Sequence, residues 1–162
     1  MIGFGNLKPE NASIYELPLP NSLSGTVLWK KLIVTLSWFT PINCDNLVYR
    51  THKLWFDFPN NELDNKLKAT RLFYNDDTVR RGTVQHEIFY GDKATAFADN
   101  TNLKIKVNCK TDAIKYDLLT SSKRKELKSI RYGLVVTLEV DPNLEVDIYN
   151  ELLLRIKQPI QI

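Results

Sequence analysis

The chain has 162 residues, with 22 basic and 19 acidic side chains giving a net charge of +3, 43% hydrophobic residues and 25% charged residues. One domain of this length buries roughly 70% of its unfolded surface without a disulfide or metal staple. The values exclude a disordered tail, a collagen-like chain and a coiled coil, and no apolar run approaches the ~20 residues of a membrane-spanning helix.

In chain order, residues 1–5 are small and glycine-rich, without the basic start and apolar stretch of a secretory leader. Pro18, Pro20 and Gly25 punctuate the next twenty residues, and no long helical pattern appears there. The first clear strand is expected over Trp29 to Phe39, where Leu32, Val34, Leu36 and Trp38 alternate with Lys31, Thr35 and Ser37. Pro41 closes that run, because proline cannot donate to a ladder. Leu54, Phe56 and Phe58 alternate around Trp55 and Asp57 before Pro59. The stretch from Glu62 to Asn75 reads as a short connecting helix.

Further on, Val84, His86, Ile88 and Tyr90 share one face of a strand between Gly82 and Gly91-Asp92. Leu103, Ile105, Val107 and Cys109 alternate with Lys104, Lys106 and Asn108, the cleanest half-buried strand in the chain. Leu134, Val136, Leu138 and Val140 repeat the pattern against Thr137 and Glu139. A last strand is expected over Ile148 to Ile156, with Ile148, Leu152, Leu154 and Ile156 inward. Helix competes there, since Ile148, Glu151, Leu152 and Arg155 also fall at helical spacing, but the density of Tyr, Ile and Leu favours strand. Five or six alternating strands separated by Pro and Gly predict an all-β fold, an antiparallel β-sandwich with at most one or two short helices.

A search for chemistry returns no catalytic, cofactor-binding or metal-binding residue. A hydrolytic triad needs a histidine beside a nucleophile, and only His52 and His86 exist. His86 reads as a hydrogen-bonded structural residue, His52 as an exposed one, and no serine sits in a Gly-x-Ser-x-Gly setting. Two histidines with Cys44 and Cys109, all widely scattered, give no zinc spacing. Cys109 is expected as a buried free thiol and Cys44 in a turn, and two lone thiols suit a reducing compartment. Asp76-Asp77 and the Asn43 to Asn46 loop offer oxygens to calcium, but such oxygens are common in turns, so no cofactor is expected. Gly3-Phe4-Gly5 lacks the third glycine and the lysine of a phosphate cradle. The basic run Lys123, Arg124, Lys125, Lys128 and Arg131 reads as a solvated loop, so neither nucleic acid nor membrane is an expected partner. Trp29, Trp38 and Trp55 read first as core, with an exposed subset as the means by which a free-standing module would bind carbohydrate or protein.

Several stretches carry a resemblance. Glu16-Leu17-Pro18-Leu19-Pro20-Asn21-Ser22-Leu23-Ser24-Gly25, followed by Lys31 to Pro41, resembles the β-domain that follows the catalytic domain in many bacterial subtilisin-like serine proteases. Arg81-Gly82-Thr83-Val84-Gln85-His86-Glu87, Ile105 to Cys109 and Arg131 to Glu139 are similar to the same domain, so the likeness spans roughly residues 14–155. Gly3-Phe4-Gly5-Asn6-Leu7 with Ala12 is similar to the close of the catalytic domain itself.

The resemblance implies a jelly-roll-like sandwich over residues 14–162, with residues 1–13 as the tail of a preceding catalytic domain or a linker. It implies a non-catalytic accessory role, since none of the family's catalytic residues maps onto this chain. It further implies a bacterial, cytoplasmic setting, the chain's own N-terminal protease domain as main partner, and an ATPase as a second. Glu62 to Arg80 matches the family weakly. An accessory domain of this kind is expected to carry an apolar surface patch where the protease domain sits.

Overall fold

The computed structural model describes residues 2–23, 29–39, 52–59, 84–98, 102–111, 129–143 and 148–155. Among the described residues there are seven strands: β1 (Ile2–Leu7), β2 (Ala12–Pro18), β3 (Trp29–Trp38), β4 (His52–Asp57), β5 (Val84–Tyr90), β6 (Asn102–Thr111) and β7 (Ile130–Val140). A 3-10 turn spans Asn21–Leu23, and the described residues also form two short helices, α1 (Asp92–Thr95) and α2 (Ile148–Arg155).

Every pairing between the described strands is antiparallel. One sheet has the order β1-β7-β3-β5 and the other β2-β6-β4. The pattern is a long hairpin wrapped on itself: β1 meets β7, β2 meets β6, and β3 meets β5. That nesting is the topology of a jelly roll, and the all-β sandwich read from the alternation is what the chain forms.

The core lies between the two sheets. Leu32, Val34, Leu36 and Trp38 from β3 and Leu134 and Val136 from β7 face Leu54 and Phe56 from β4 and Leu103, Ile105, Val107 and Cys109 from β6. These are the residues the alternation selected, and each such side chain contributes about 1.5–3 kcal/mol by leaving water. Phe58 joins the two sheets aromatically, with ring centroids 5.9 Å from Phe56, 5.7 Å from Phe89 and 5.0 Å from Phe97. The Trp29 indole donates to the Leu23 carbonyl at 3.1 Å, which fixes the 3-10 turn against the core.

Two expectations are corrected. The sandwich begins at Ile2 rather than residue 14, because β1 pairs with β7 from Ile2↔Val135 to Leu7↔Ile130. Gly3 and Gly5 face inward on that strand for a steric reason. A Cβ on Gly3 would meet the Tyr15 ring at 3.0 Å, and one on Gly5 would meet the Tyr132 hydroxyl at 2.9 Å. Two tyrosines from opposite sheets lie across two glycines, joined by a 2.7 Å bond between their hydroxyls.

The last described element is helix, not strand. Over Ile148–Arg155 the helical spacing wins, and Leu154, expected inward, is exposed. The Glu151 carboxylate accepts from the Asn21 and Ser22 backbone N–H groups and from the Ser22 hydroxyl, so α2 is tied to the 3-10 turn by the donors that turn leaves open.

On β5 the set Val84, His86, Ile88 and Tyr90 does share a face, but the face points outward. Gln85 and Phe89 point inward instead. The Gln85 side chain accepts the Phe56 backbone N–H at 2.9 Å, on the side of β4 where its described sheet ends. The expected helix over Glu62 to Asn75, Cys44, Asp76-Asp77, the Asn43 to Asn46 loop and Lys123 to Lys128 lie outside the described residues.

Candidate interaction face on the four-stranded sheet

Among the described residues nine large hydrophobic side chains are exposed. Seven of them, Ile2, Phe4, Phe39, Val84, Ile88, Tyr90 and Val135, fall on the outer face of the four-stranded sheet. The register explains the clustering, because residues that alternate outward on each strand align into transverse rows. One row runs Ile2, Val135, Thr35, His86 and the next Phe4, Gly133, Ser37, Val84. On the other side of the first row stand Thr137, Ile33 and Ile88.

Charge is confined to the ends. At one end Glu139, Lys31 and Tyr90 form a row, where the Lys31 ammonium sits 2.7 Å from the Glu139 carboxylate and 5.8 Å from the Tyr90 ring. Glu139 accepts from that ammonium and holds it above the ordinary lysine range. At the other end Asn6 and Arg131 pair, and the Phe39 N–H donates to the Arg131 carbonyl at 3.3 Å, extending the ladder by one residue. Three inter-strand spacings of about 4.8 Å and four row spacings of about 6.8 Å bound a face on the order of 400 Å², its charged end rows included. That is the size of a functional patch and of one side of an inter-domain contact.

The opposite outer face contrasts with it. Lys104, Lys106 and Lys110 line β6, and Lys53, Trp55 and Asp57 line β4. Glu16 holds Lys104 at 3.7 Å, Asp57 accepts from Asn108 at 3.0 Å, and the Lys53 ammonium lies 5.7 Å from the Trp55 ring. One outer surface of the sandwich is apolar and the other is charged.

The residues singled out for chemistry are dispersed. His86 stands on the apolar face, its Nδ1 2.8 Å from the Thr35 hydroxyl, and among the described residues no carboxylate completes a relay. His52 opens β4 opposite Thr111, on the other sheet. Cys109 is buried and free, and burial pushes its thiol up to about 12. Trp29 and Trp38 are core, so only Trp55 of the three presents its ring partly to solvent. Among the described residues no group of three His, Cys, Asp or Glu side chains is placed to hold a metal. No helix among them is long and apolar enough to cross a membrane.

The apolar face had a sequence signal that alternation alone passes over. Leu32-Ile33-Val34 and Leu134-Val135-Val136 are continuous apolar triplets inside otherwise alternating strands. Such runs mark strands covered on both sides. No family model matches the chain, and no curated protein matches it.

Proposed function

We propose that this chain is the non-catalytic C-terminal accessory domain of a subtilisin-like serine endopeptidase, packing its four-stranded sheet against the protease domain and docking substrate or a protein partner. The apolar outer face carries the reading. A domain separated from its neighbour leaves an uncovered hydrophobic surface of this kind, and the doubly apolar triplets of β3 and β7 suit a buried layer. The edge strand β1 contributes Ile2 and Phe4 to the face. The resemblance over residues 14–155 supplies the identity of the neighbour.

In this reading the chain contributes stability and shape, and the serine chemistry belongs to the rest of the polypeptide. The setting is the bacterial cytoplasm, an ATPase is a second partner, and no cofactor, nucleic acid or membrane takes part. The test is capture of the native polypeptide with an antibody to this chain, followed by a fluorophosphonate probe that labels activated serines. A labelled band several times heavier than 18.8 kDa is expected. An unlabelled band of any mass overturns the proposal.

A second reading has Trp55 in its favour: a free-standing module binding carbohydrate or protein through the charged face. Its discriminating experiment is tryptophan fluorescence under glycan titration, where only a ligand-dependent change confined to Trp55 supports it.

A further inference from the structure

We infer that the apolar face is bound chiefly at its Arg131 end, where the partner seats one bulky apolar side chain in a hollow over Gly133 and Ser37 and sets a carboxylate on Arg131. The inference rests on the docking role proposed above and specifies the chemistry of the covering surface.

The hollow follows from the register. Gly133 lies directly between Phe4 on β1 and Ser37 on β3, and Val84 stands beyond Ser37. Two of the smallest side chains therefore floor the middle of a row whose ends are Phe4 and Val84. A Cβ added at Gly133 would meet only the Ser37 hydroxyl, at 3.4 Å, so outward space is open above it. A flat apolar sheet packs poorly on another surface, whereas a dent walled by an aromatic ring and a valine accepts a knob. Pockets that exclude water around one inserted side chain concentrate binding energy.

The charge gives the second half. Arg131 is the next outward residue along β7, across from Asn6 on β1 and from Phe39 on β3, with Phe4 one outward position back along β1. Among the described residues no acid pairs with it, whereas at the far end Lys31 is already held by Glu139. A guanidinium brought against a covering surface needs a carboxylate, because its desolvation is otherwise uncompensated, and its planar fork suits a two-oxygen acceptor. The covering surface therefore carries a large apolar side chain next to an Asp or Glu.

The experiment is radical footprinting of Phe4 and Tyr90 in the native polypeptide and in the isolated 162-residue chain. Three substitutions enter the native polypeptide: Gly133→Leu, Arg131→Glu, and Thr137→Leu as equal bulk two rows away. Ser37→Leu fills the same hollow from another strand, should Gly133→Leu fail to fold. Wild-type protection of both rings is expected, with Gly133→Leu, Ser37→Leu and Arg131→Glu raising Phe4 oxidation at least tenfold and Thr137→Leu less than threefold. If Thr137→Leu opens the face as far as Gly133→Leu does, the inference is overturned while docking stands. If Phe4 and Tyr90 react equally in the native polypeptide and the isolated chain, the docking role itself falls.

Discussion

Ile33 on β3 and Ile88 on β5 stand directly opposite each other on the outside of the four-stranded sheet, while Leu32 and Val34 on either side of Ile33 are buried in the core. One residue of shift along β3 thus separates two apolar layers with different duties. Leu36→Ala, on the inner layer, is expected to cost about 2–5 kcal/mol of folding stability. Ile88→Asp, on the exposed layer, is expected to change stability by only about 0.5 kcal/mol, yet to weaken whatever docks there. Urea unfolding of the isolated chain separates the two.

The glycines of β1 make a second prediction. Gly5→Ala puts a methyl group 2.9 Å from the Tyr132 hydroxyl, and overpacking of this kind costs about 1–3 kcal/mol. In a Tyr132→Phe background the clashing oxygen is gone, so the same substitution is expected to cost less. A double-mutant cycle reads the difference as coupling; strict additivity would mean that Gly5 is not shaped by Tyr132.

Alkaline pH acts on two groups in the same direction. Burial raises the Cys109 thiol from its ordinary 9.0 to about 12. Burial first, and then the Tyr132 hydroxyl, raise the Tyr15 phenol above its ordinary 10.0. In both cases the unfolded chain loses its proton at lower pH than the folded one. Stability is therefore fully present below pH 9 and falls as pH climbs from 9 towards 12. Chemical denaturation across that range checks it, and Cys109→Ala is expected to flatten the first part of the decline.

The Glu151 contact predicts local rather than global loosening. Glu151→Ala removes the acceptor shared by Asn21, Ser22 and the Ser22 hydroxyl. Hydrogen exchange at the Asn21 and Ser22 amides and along α2 is expected to accelerate, with β3, β6 and β7 unchanged. Acceleration throughout the sandwich would mean that α2 belongs to the cooperative core.

The fold was legible where a single face of a strand is apolar, as on β3 and β6, because period-two alternation reports burial directly. It was less legible on β5, where alternation identifies a face but not its direction, and Gln85 turns inward to meet a backbone donor 29 residues away in sequence. Strand β1 was hidden because two of its three inward residues are glycines, whose meaning depends on Tyr15 and Tyr132. In α2, spacing decided against β propensity. The candidate interaction face needs the register of four strands drawn from residues 2 to 139, information that no local window holds.

The central claim is tested most directly by placing a photo-crosslinking phenylalanine derivative at Ile33, and for comparison at Ile14 on the other sheet, in the native polypeptide. The account predicts that position 33 crosslinks within the same polypeptide to a segment of a subtilisin-like catalytic domain, and that position 14 does not. Crosslinking at 33 to nothing, or only to a second copy of this chain, would contradict it.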